Sequence, residues 1–326
     1  MSAESDRSTH RSPDASPGSA AEAVDAPGVV RVGAVTLPGP VLTASGTAGY
    51  GTELAPYFDL ASIGAVVTKS LAPYEWPGNP APRLHPTPQG MMNAVGLQGP
   101  GVEYWLAKVL PGLLDTGATV VASIWGRSVD DYRRAAEQLA AASGGVVAVE
   151  VNLSCPNLEG RGSIFAHDAE LSAEVMAATE ACGRPRWAKL SANTDRIIDV
   201  ARAVVEAGAD ALTCVNTLLG LAYHPDTLEP TLGAGGGGLS GRAMHPVAVR
   251  AVHDVHEALP DVAIVAAGGV ASGWDAVEMF LAGASAVQVG TATFADPRAP
   301  KRVQDELCAW MDERGITTTG EIAALR

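Results

Sequence analysis

The strongest constraint on the fold is an alternation of short apolar runs with longer amphipathic stretches, which begins at residue 29 and continues almost to the end. Eight of the runs are apolar almost throughout, as are parallel strands that are covered on both faces. We predict strands at Pro40–Ala44, Gly64–Ser70, Thr119–Ile124, Val146–Leu153, Arg186–Leu190, Ala211–Asn216, Val262–Ala267 and Ser285–Gly290. A further run, Val30–Leu37, predicts a small hairpin at the bottom of the sheet.

Helical patterns separate these runs. We predict helices at Asp130–Ala142, Ala169–Cys182, Thr194–Ala207, Pro246–Leu259, Gly273–Ala282 and Ala299–Arg314. Three of the patterns are followed by a glycine, at Gly183, Gly208 and Gly283, which is typical of a helix end. Eight strands that alternate with helices predict an α/β fold, either a (β/α)8 barrel or a doubly wound sheet.

An internal repeat favours the barrel. Residues 207–217 (AGADALTCVNT) resemble residues 282–291 (AGASAVQVGT), and each segment predicts a helix end, a tight turn and a strand with a polar tip. Glycines follow the seventh and eighth strands, where such barrels bind phosphate. We therefore expect one (β/α)8 TIM barrel domain over residues 29–326, with a short N-terminal hairpin and long active-site loops. Residues 1–28 are mostly Ser, Ala, Pro and Asp, and they predict a disordered tail.

The composition limits the partners and the location. A net charge of −14 argues against nucleic acid and anionic membranes as partners. There is no apolar signal region and no run of about 18 apolar residues, so we expect a cytoplasmic protein. The four cysteines form no CxxC pair, which excludes an iron–sulfur or zinc framework within this chain. Cys182, Cys214 and Cys308 have apolar neighbours and are expected in the core, whereas Cys155 lies in a polar segment.

Two connections, residues 71–101 and 218–241, are too long to be plain turns. The second contains four consecutive glycines, Gly235–Gly238, and a run of this kind is flexible by composition. We predict a moving lid there, and a slack solvent loop is the alternative.

Polar side chains collect at the carboxyl ends of the predicted strands, which is the active face of a barrel. Lys69 and Lys189 end the second and fifth strands, where a lysine can form a Schiff base, bind an anion or donate to a cofactor. Ser45, Ser123, Asn152, Asn216 and Thr217 lie at other strand ends. Together with Asn93 and Asn157, they predict a pocket for a small planar anion that carries carbonyl and NH groups.

The thiol of Cys155 could act as a nucleophile or as a general base. A nucleophilic thiol usually needs a histidine within reach, and no histidine lies at a predicted strand tip. This pattern favours a general base, although His85 or His224 on the long connections could approach Cys155.

Nine segments carry a family resemblance, in order along the chain. They are residues 44–51 (ASGTAGYG), 68–70 (TKS), 78–83 (GNPAPR), 90–98 (GMMNAVGLQ), 152–157 (NLSCPN), 215–217 (VNT), 238–241 (GLSG), 268–269 (GG) and 290–291 (GT). Together they resemble class 1 dihydroorotate dehydrogenases, the FMN enzymes of pyrimidine synthesis, over about residues 29–315. The second class of the family has serine at the base position and an amphipathic membrane anchor, neither of which this sequence has.

The resemblance implies a reaction and a set of roles. Cys155 would take a proton from C5 of dihydroorotate while the C6 hydride passes to FMN, and Lys189 would stabilise the charge on the reduced flavin. The implied substrate-binding residues are Lys69, Asn93, Ala94, Val95, Gly96, Leu97, Asn152, Asn216 and Thr217. The implied FMN-binding residues are Ser45, Lys69, Ser70, Ser123, Asn152, Lys189, Val215, Gly241, Gly268, Gly269, Gly290 and Thr291, the last four at the phosphate. No metal is implied.

Residues 93–98 (NAVGLQ) resemble the type 1B catalytic subunit more than the fumarate-using type 1A enzyme. This likeness implies a homodimer within a heterotetramer, in which an FAD/[2Fe–2S] subunit passes electrons to NAD⁺. Ser123 and Gly99 depart from the family pattern, because the family usually has asparagine at both positions. The alternatives are an FMN-dependent dihydropyrimidine dehydrogenase, which typically has histidine where Asn157 stands, and a Schiff-base aldolase that uses Lys69 or Lys189.

Overall fold

The eight predicted parallel strands form one barrel. The computed structural model describes residues 28–142, 144–154 and 164–326, so that all but the last residue of the predicted N-terminal tail lies outside the described residues. The strands within these ranges are β1 (Val30–Val32), β2 (Val35–Leu37), β3 (Val41–Thr43), β4 (Val66–Val67), β5 (Leu84–Thr87), β6 (Gly90–Asn93), β7 (Val120–Ile124), β8 (Val146–Asn152), β9 (Arg186–Lys189), β10 (Ala211–Cys214), β11 (Leu218–Gly220), β12 (Gly237–Ser240), β13 (Ile264–Ala267) and β14 (Ala286–Val289).

The barrel strands are hydrogen-bonded in the order β3-β14-β13-β10-β9-β8-β7-β4, and every neighbouring pair is parallel. Backbone bonds close the ring between its first and last strands: the amide of Thr43 donates to Ala65 O (3.1 Å), and the amide of Gly64 donates to Val41 O (2.7 Å). A doubly wound sheet would leave these two edges unpaired. The prediction of a TIM barrel is therefore confirmed, and the eight predicted strands differ from the observed strands only at their ends.

Ten α-helices within the described ranges surround the barrel. They are α1 (Val102–Tyr104), α2 (Leu110–Leu114), α3 (Val129–Leu139), α4 (Ala169–Ala178), α5 (Ile197–Glu206), α6 (His245–Ala258), α7 (Gly273–Leu281), α8 (Ala292–Ala295), α9 (Ala299–Asp312) and α10 (Thr319–Ala323). The side chains of Ser128, Asp168 and Ser272 cap α3, α4 and α7 by accepting a bond from a backbone amide in the first turn. None of the helices in the described ranges is both long enough and apolar enough to cross a membrane.

The N-terminal hairpin closes the bottom of the barrel. Strands β1 and β2 pair in an antiparallel register, and Val32 and Leu37 are fully buried. They belong to one apolar cluster with the lowest inward-facing layer of the barrel, which includes Val121, Trp187 and Val265. The predicted hairpin is confirmed, and its packing leaves the opposite end of the barrel for a binding site.

The two long connections, residues 71–101 and 218–241, contain the strands of a second sheet. Strands β5 and β6 come from the first connection and β11 and β12 from the second, and they pair in the antiparallel order β11-β12-β6-β5. Gly237 and Gly238 lie within β12. A Cβ atom on Gly237 would lie 2.4 Å from Asn93 O, and one on Gly238 would lie 2.2 Å from the hydroxyl oxygen of Thr217. These glycines therefore allow a close approach of the backbone within a strand.

Candidate active site

A cavity of about 590 Å³ lies at the carboxyl ends of the barrel strands, under the antiparallel sheet. Its volume is in the usual range for a small-molecule site. The cavity brings together most of the predicted site residues: Ser45, Lys69, Ser70, Asn93, Ala94, Val95, Gly96, Leu97, Asn152, Lys189, Val215, Asn216, Thr217, Gly241, Gly268, Gly269, Gly290 and Thr291. Cys155 and Asn157 lie outside the described residues.

The alternation of side chains along each strand stacks the barrel interior in layers. On β8, Ala148 belongs to the apolar bottom cluster, Glu150 lies one layer higher, and Asn152 lines the cavity. On β9, Trp187 belongs to the bottom cluster and Lys189 lies above it. A polar layer thus separates the apolar bottom from the cavity.

Lys189 is held within this polar layer and is only 4% exposed. Its ammonium group donates to Ser45 Oγ (3.3 Å), Glu150 Oε1 (3.2 Å) and Gln288 Oε1 (3.3 Å). Sequence reasoning missed Glu150 and Gln288, although each is a polar residue inside a strand that is otherwise almost entirely apolar. The ammonium group of Lys189 therefore lies at the floor of the cavity, above the carboxylate of Glu150.

A chain of amide and hydroxyl groups orients the asparagines on one wall of the cavity. The Asn216 side-chain amide donates to Asn152 Oδ1 (3.0 Å), which also accepts a bond from the Ser154 backbone amide (3.2 Å). Asn152 Nδ2 is in turn 3.4 Å from Ser70 Oγ. Because Oδ1 of Asn152 accepts both bonds, its Nδ2 is the group that donates toward Ser70.

Ser123 is the one predicted cofactor-binding residue among those described that does not line the cavity. It is fully buried, and its hydroxyl shares a hydrogen bond of 2.9 Å with Ser70 Oγ. Ser123 therefore supports Ser70, and its direct contact with a cofactor stays a prediction.

Lys69 follows β4 and lies next to Ser70 in the sequence. Its backbone amide donates to Gly49 O (2.8 Å), and its ammonium group lies 5.4 Å from the ring centre of Tyr50. Burial lowers the pKa of Lys69, and the positive charge of Arg83 lowers it further. Lys69 is therefore a partly desolvated cation without a carboxylate partner among the described residues, which suits it to bind an anion.

The segment that contains Asn93–Leu97 forms the roof of the cavity. Its shape depends on a left-handed backbone at Gly96 (φ +71°) and Leu97 (φ +60°). A residue that sequence reasoning missed, Asn79, supports this bend: its backbone amide donates to Val95 O (3.1 Å) and its side-chain amide to Ala94 O (3.2 Å). Asn193 was missed as well, and its side-chain amide supports the far side by donating to Thr217 O (2.9 Å).

Bare backbone lines the end of the cavity beside β13 and β14. Gly241, Gly268 and Gly269 have φ angles of +98°, +139° and +73°, which L side chains rarely adopt. A Cβ atom on Gly269 would lie 2.6 Å from the Cβ of His245 and 2.9 Å from Gly241 O. Glycine at these positions leaves peptide groups open to the cavity, as the close approach of a phosphate requires.

The described cysteines are not suited to proton transfer. Cys182 and Cys214 are buried as predicted, and burial raises the pKa of Cys214 to about 12. The prediction that Cys308 lies in the core was wrong, because it lies on the exposed face of α9. None of these three thiols lines the cavity. Cys155 therefore remains the candidate base of the sequence analysis.

Comparisons with known proteins agree on one family. The family model for dihydroorotate dehydrogenase matches residues 29–311. A relative from Desulforudis audaxviator is 44% identical over 294 residues, covering 90% of this chain and 95% of the relative, and one from Geotalea uraniireducens is 41% identical, covering 90% and 96%. Both are named dihydroorotate dehydrogenase B (NAD(+)), catalytic subunit.

A solved structure of DHODH from Eimeria tenella, in complex with ferulenol, has a similar fold. Its TM-score is 0.74 at 23% identity, covering 91% of this chain and 87% of that one. The chain belongs to the dihydroorotate dehydrogenase family.

Proposed function

We propose that this chain is the FMN-containing catalytic subunit of a type 1B dihydroorotate dehydrogenase, which oxidises dihydroorotate to orotate in pyrimidine synthesis. The observation that carries the proposal is the cavity, which groups two lysines and several amide side chains above a closed barrel core. The relatives that cover nearly the whole chain have the same activity in their names.

The residues of the cavity fit FMN. The glycines beside β13 and β14 provide a cradle that a Cβ atom would fill, and the ammonium group of Lys189 lies on the cavity floor. Ser45, Ser70 and Asn152 offer hydrogen bonds to the ring edges of the flavin. When bound, FMN supplies the hydride acceptor that the protein side chains lack.

The cavity also fits dihydroorotate, which is a small anion edged with ring NH and carbonyl groups. Lys69 binds its carboxylate, because a desolvated cation gains more from an anion than a hydrated cation does. The amide side chains of Asn93, Asn152 and Asn216 match its ring groups. A substrate without the carboxylate, such as dihydrouracil, would leave Lys69 unpaired.

Cys155 is the proposed general base. Its thiolate takes the proton from C5 of dihydroorotate, while Lys69 and the asparagines keep the C6–H bond directed at the flavin. Lys189 places a positive charge at the floor of the cavity, where negative charge develops during the reaction.

Electrons leave through a second subunit. The sequence contains no cysteine cluster for an iron–sulfur centre, and the relatives are named as catalytic subunits of an NAD(+) enzyme. We propose a homodimer of this chain within a heterotetramer, with an FAD/[2Fe–2S] subunit that reduces NAD⁺. Because dihydroorotate and NAD⁺ are both soluble in water, we propose that the enzyme acts in the cytoplasm.

The purified chain tests this proposal directly. We expect a visible flavin spectrum that dihydroorotate bleaches. We also expect steady reduction of an artificial dye, because the transfer of hydride to FMN needs only this chain. We expect no NAD⁺ reduction until the partner subunit is added. Dihydrouracil serves as the control substrate and should not be oxidised. A colourless protein, or direct reduction of NAD⁺ by the pure chain, would contradict the proposal.

A second prediction concerns the pH dependence of substrate binding. Because burial and Arg83 lower the pKa of Lys69, the free enzyme loses this positive charge at a lower pH than an ordinary lysine would. The KM for dihydroorotate should therefore rise with pH on the alkaline side, starting below the normal lysine range. Steady-state kinetics across pH would measure this rise. A Lys69→Arg variant keeps its charge throughout and should lack it, so the same rise in that variant would exclude Lys69 as its cause.

A further inference from the structure

A buried ion pair lies beneath the cavity, and the proposed reaction does not explain its carboxylate. Lys189 Nζ and Glu150 Oε1 are 3.2 Å apart, and their side chains are 5% and 0% exposed. Glu150 does not line the cavity, so it does not touch a bound ligand. Burial of a carboxylate costs free energy of desolvation. A role for Glu150 beneath the lysine would explain why the fold contains it.

The carboxylate of Glu150 is fully hydrogen-bonded by three strands. Oε1 accepts a bond from Lys189 on β9 (3.2 Å), and Oε2 accepts bonds from Gln288 Nε2 on β14 (2.6 Å) and from Thr213 Oγ1 on β10 (3.2 Å). Every partner acts as a donor, which is the arrangement that an ionised carboxylate needs. The geometry therefore holds a negative charge in a fixed place below Lys189.

The other contacts of Lys189 are neutral. Ser45 follows β3 and Gln288 lies on β14, and both accept a bond from its ammonium group. Among the described residues that line the cavity, the charged side chains are Lys69 and Lys189, and both are cations. Glu150 is therefore the one counter-charge that the described residues offer to Lys189.

We propose that Glu150 is a positioning residue that keeps Lys189 protonated while the flavin is oxidised, and so sets how many protons the enzyme takes up on reduction. The inference rests on the proposed function, in which FMN binds in this cavity. With Lys189 already charged, two-electron reduction adds one proton, at the flavin ring, and the negative charge that the ring acquires meets a cation already in place.

Without the carboxylate the proton balance changes. A buried ammonium group with no counter-charge loses its proton well below the ordinary lysine range. In a Glu150→Gln variant, Lys189 is then neutral in the oxidised enzyme. The negative charge on the reduced ring draws a proton from solvent onto Lys189, so reduction by two electrons takes up two protons instead of one.

The test is the flavin midpoint potential of the holoprotein, measured against pH with a dye-mediated titration. We expect the potential of Glu150→Gln to fall with pH about twice as steeply as that of the native protein, because two protons accompany reduction instead of one. Thr213→Val is the matched control: it removes one buried hydrogen bond to the same carboxylate but leaves the charge, and it should keep the native slope.

The double variant Glu150→Gln/Lys189→Met removes both charges and serves as the control for folding. A native slope in Glu150→Gln alone would overturn the inference. If Glu150→Gln does not fold, the double variant decides: recovery of a folded, FMN-binding protein would trace the failure to the uncompensated ammonium group, and continued failure would make Glu150 merely structural. Absence of flavin from the native protein would refute the proposed function instead.

Discussion

Replacement of Cys155 by alanine should leave a folded, yellow protein that oxidises dihydroorotate at least about 100-fold more slowly near neutral pH. The proton on C5 then has no thiol acceptor, because none of the other three cysteines lines the cavity. The groups proposed to hold FMN remain unchanged, so the flavin should stay bound. Stopped-flow measurement of flavin bleaching by dihydroorotate isolates this step.

A Cys155→Ser variant provides the matched control. A hydroxyl is a much weaker acid than a thiol, so little of it is ionised at neutral pH. We expect a small residual rate of bleaching that grows as the pH rises. Loss of flavin from the alanine variant would show that Cys155 has a structural role, and a native rate of bleaching would exclude it as the base.

Replacement of Gly269 by alanine should weaken FMN binding by about 100-fold. A left-handed backbone (φ +73°) costs a residue with a Cβ about 1–2 kcal/mol, and crowding against His245 and Gly241 adds about 1–3 kcal/mol. A total of about 3 kcal/mol corresponds to about 100-fold, since each 1.4 kcal/mol is tenfold. The loop can relieve this strain only by moving, which displaces the peptide groups that face the cavity.

Titration of the apoprotein with FMN, followed by flavin fluorescence, measures the loss. Gly235→Ala is the control, because Gly235 is also left-handed (φ +84°) but has open space around its Cβ position and lies outside the cavity. It should bind FMN as the native protein does. Native affinity in the Gly269→Ala variant would mean that the phosphate is held elsewhere in the cavity.

Much of the fold could be predicted from local patterns. A strand that is covered on both faces is apolar along most of its length, so Val146–Asn152 and Ile264–Ala267 stand out in the sequence. Parallel strands in a barrel all point their carboxyl ends to one face, so the polar residues after them had to meet. The sequence therefore predicted one site that contains Lys69, Asn152, Lys189 and Asn216.

The antiparallel sheet could not be predicted in the same way. Gly237 and Gly238 indicate a flexible loop when they are considered alone, and only the backbones of Asn93 and Leu219 beside them make a strand. These partners are far apart in sequence, and their pairing depends on the register of the whole barrel. The role of Asn79 could not be predicted either. Its side chain bonds to Ala94 O, which directly follows β6, and this contact depends on how β5 and β6 pair.

By itself, the sequence determined the barrel, the face that carries the site, the family and the identity of Cys155 as the candidate base. The tertiary structure decided which polar groups meet inside. Glu150, Lys189, Thr213 and Gln288 come from four strands, and each is an isolated polar residue until the ring closes. The physical reason is that strand formation follows from the pattern of neighbouring residues, whereas a buried charge is stable only where distant strands bring it a partner.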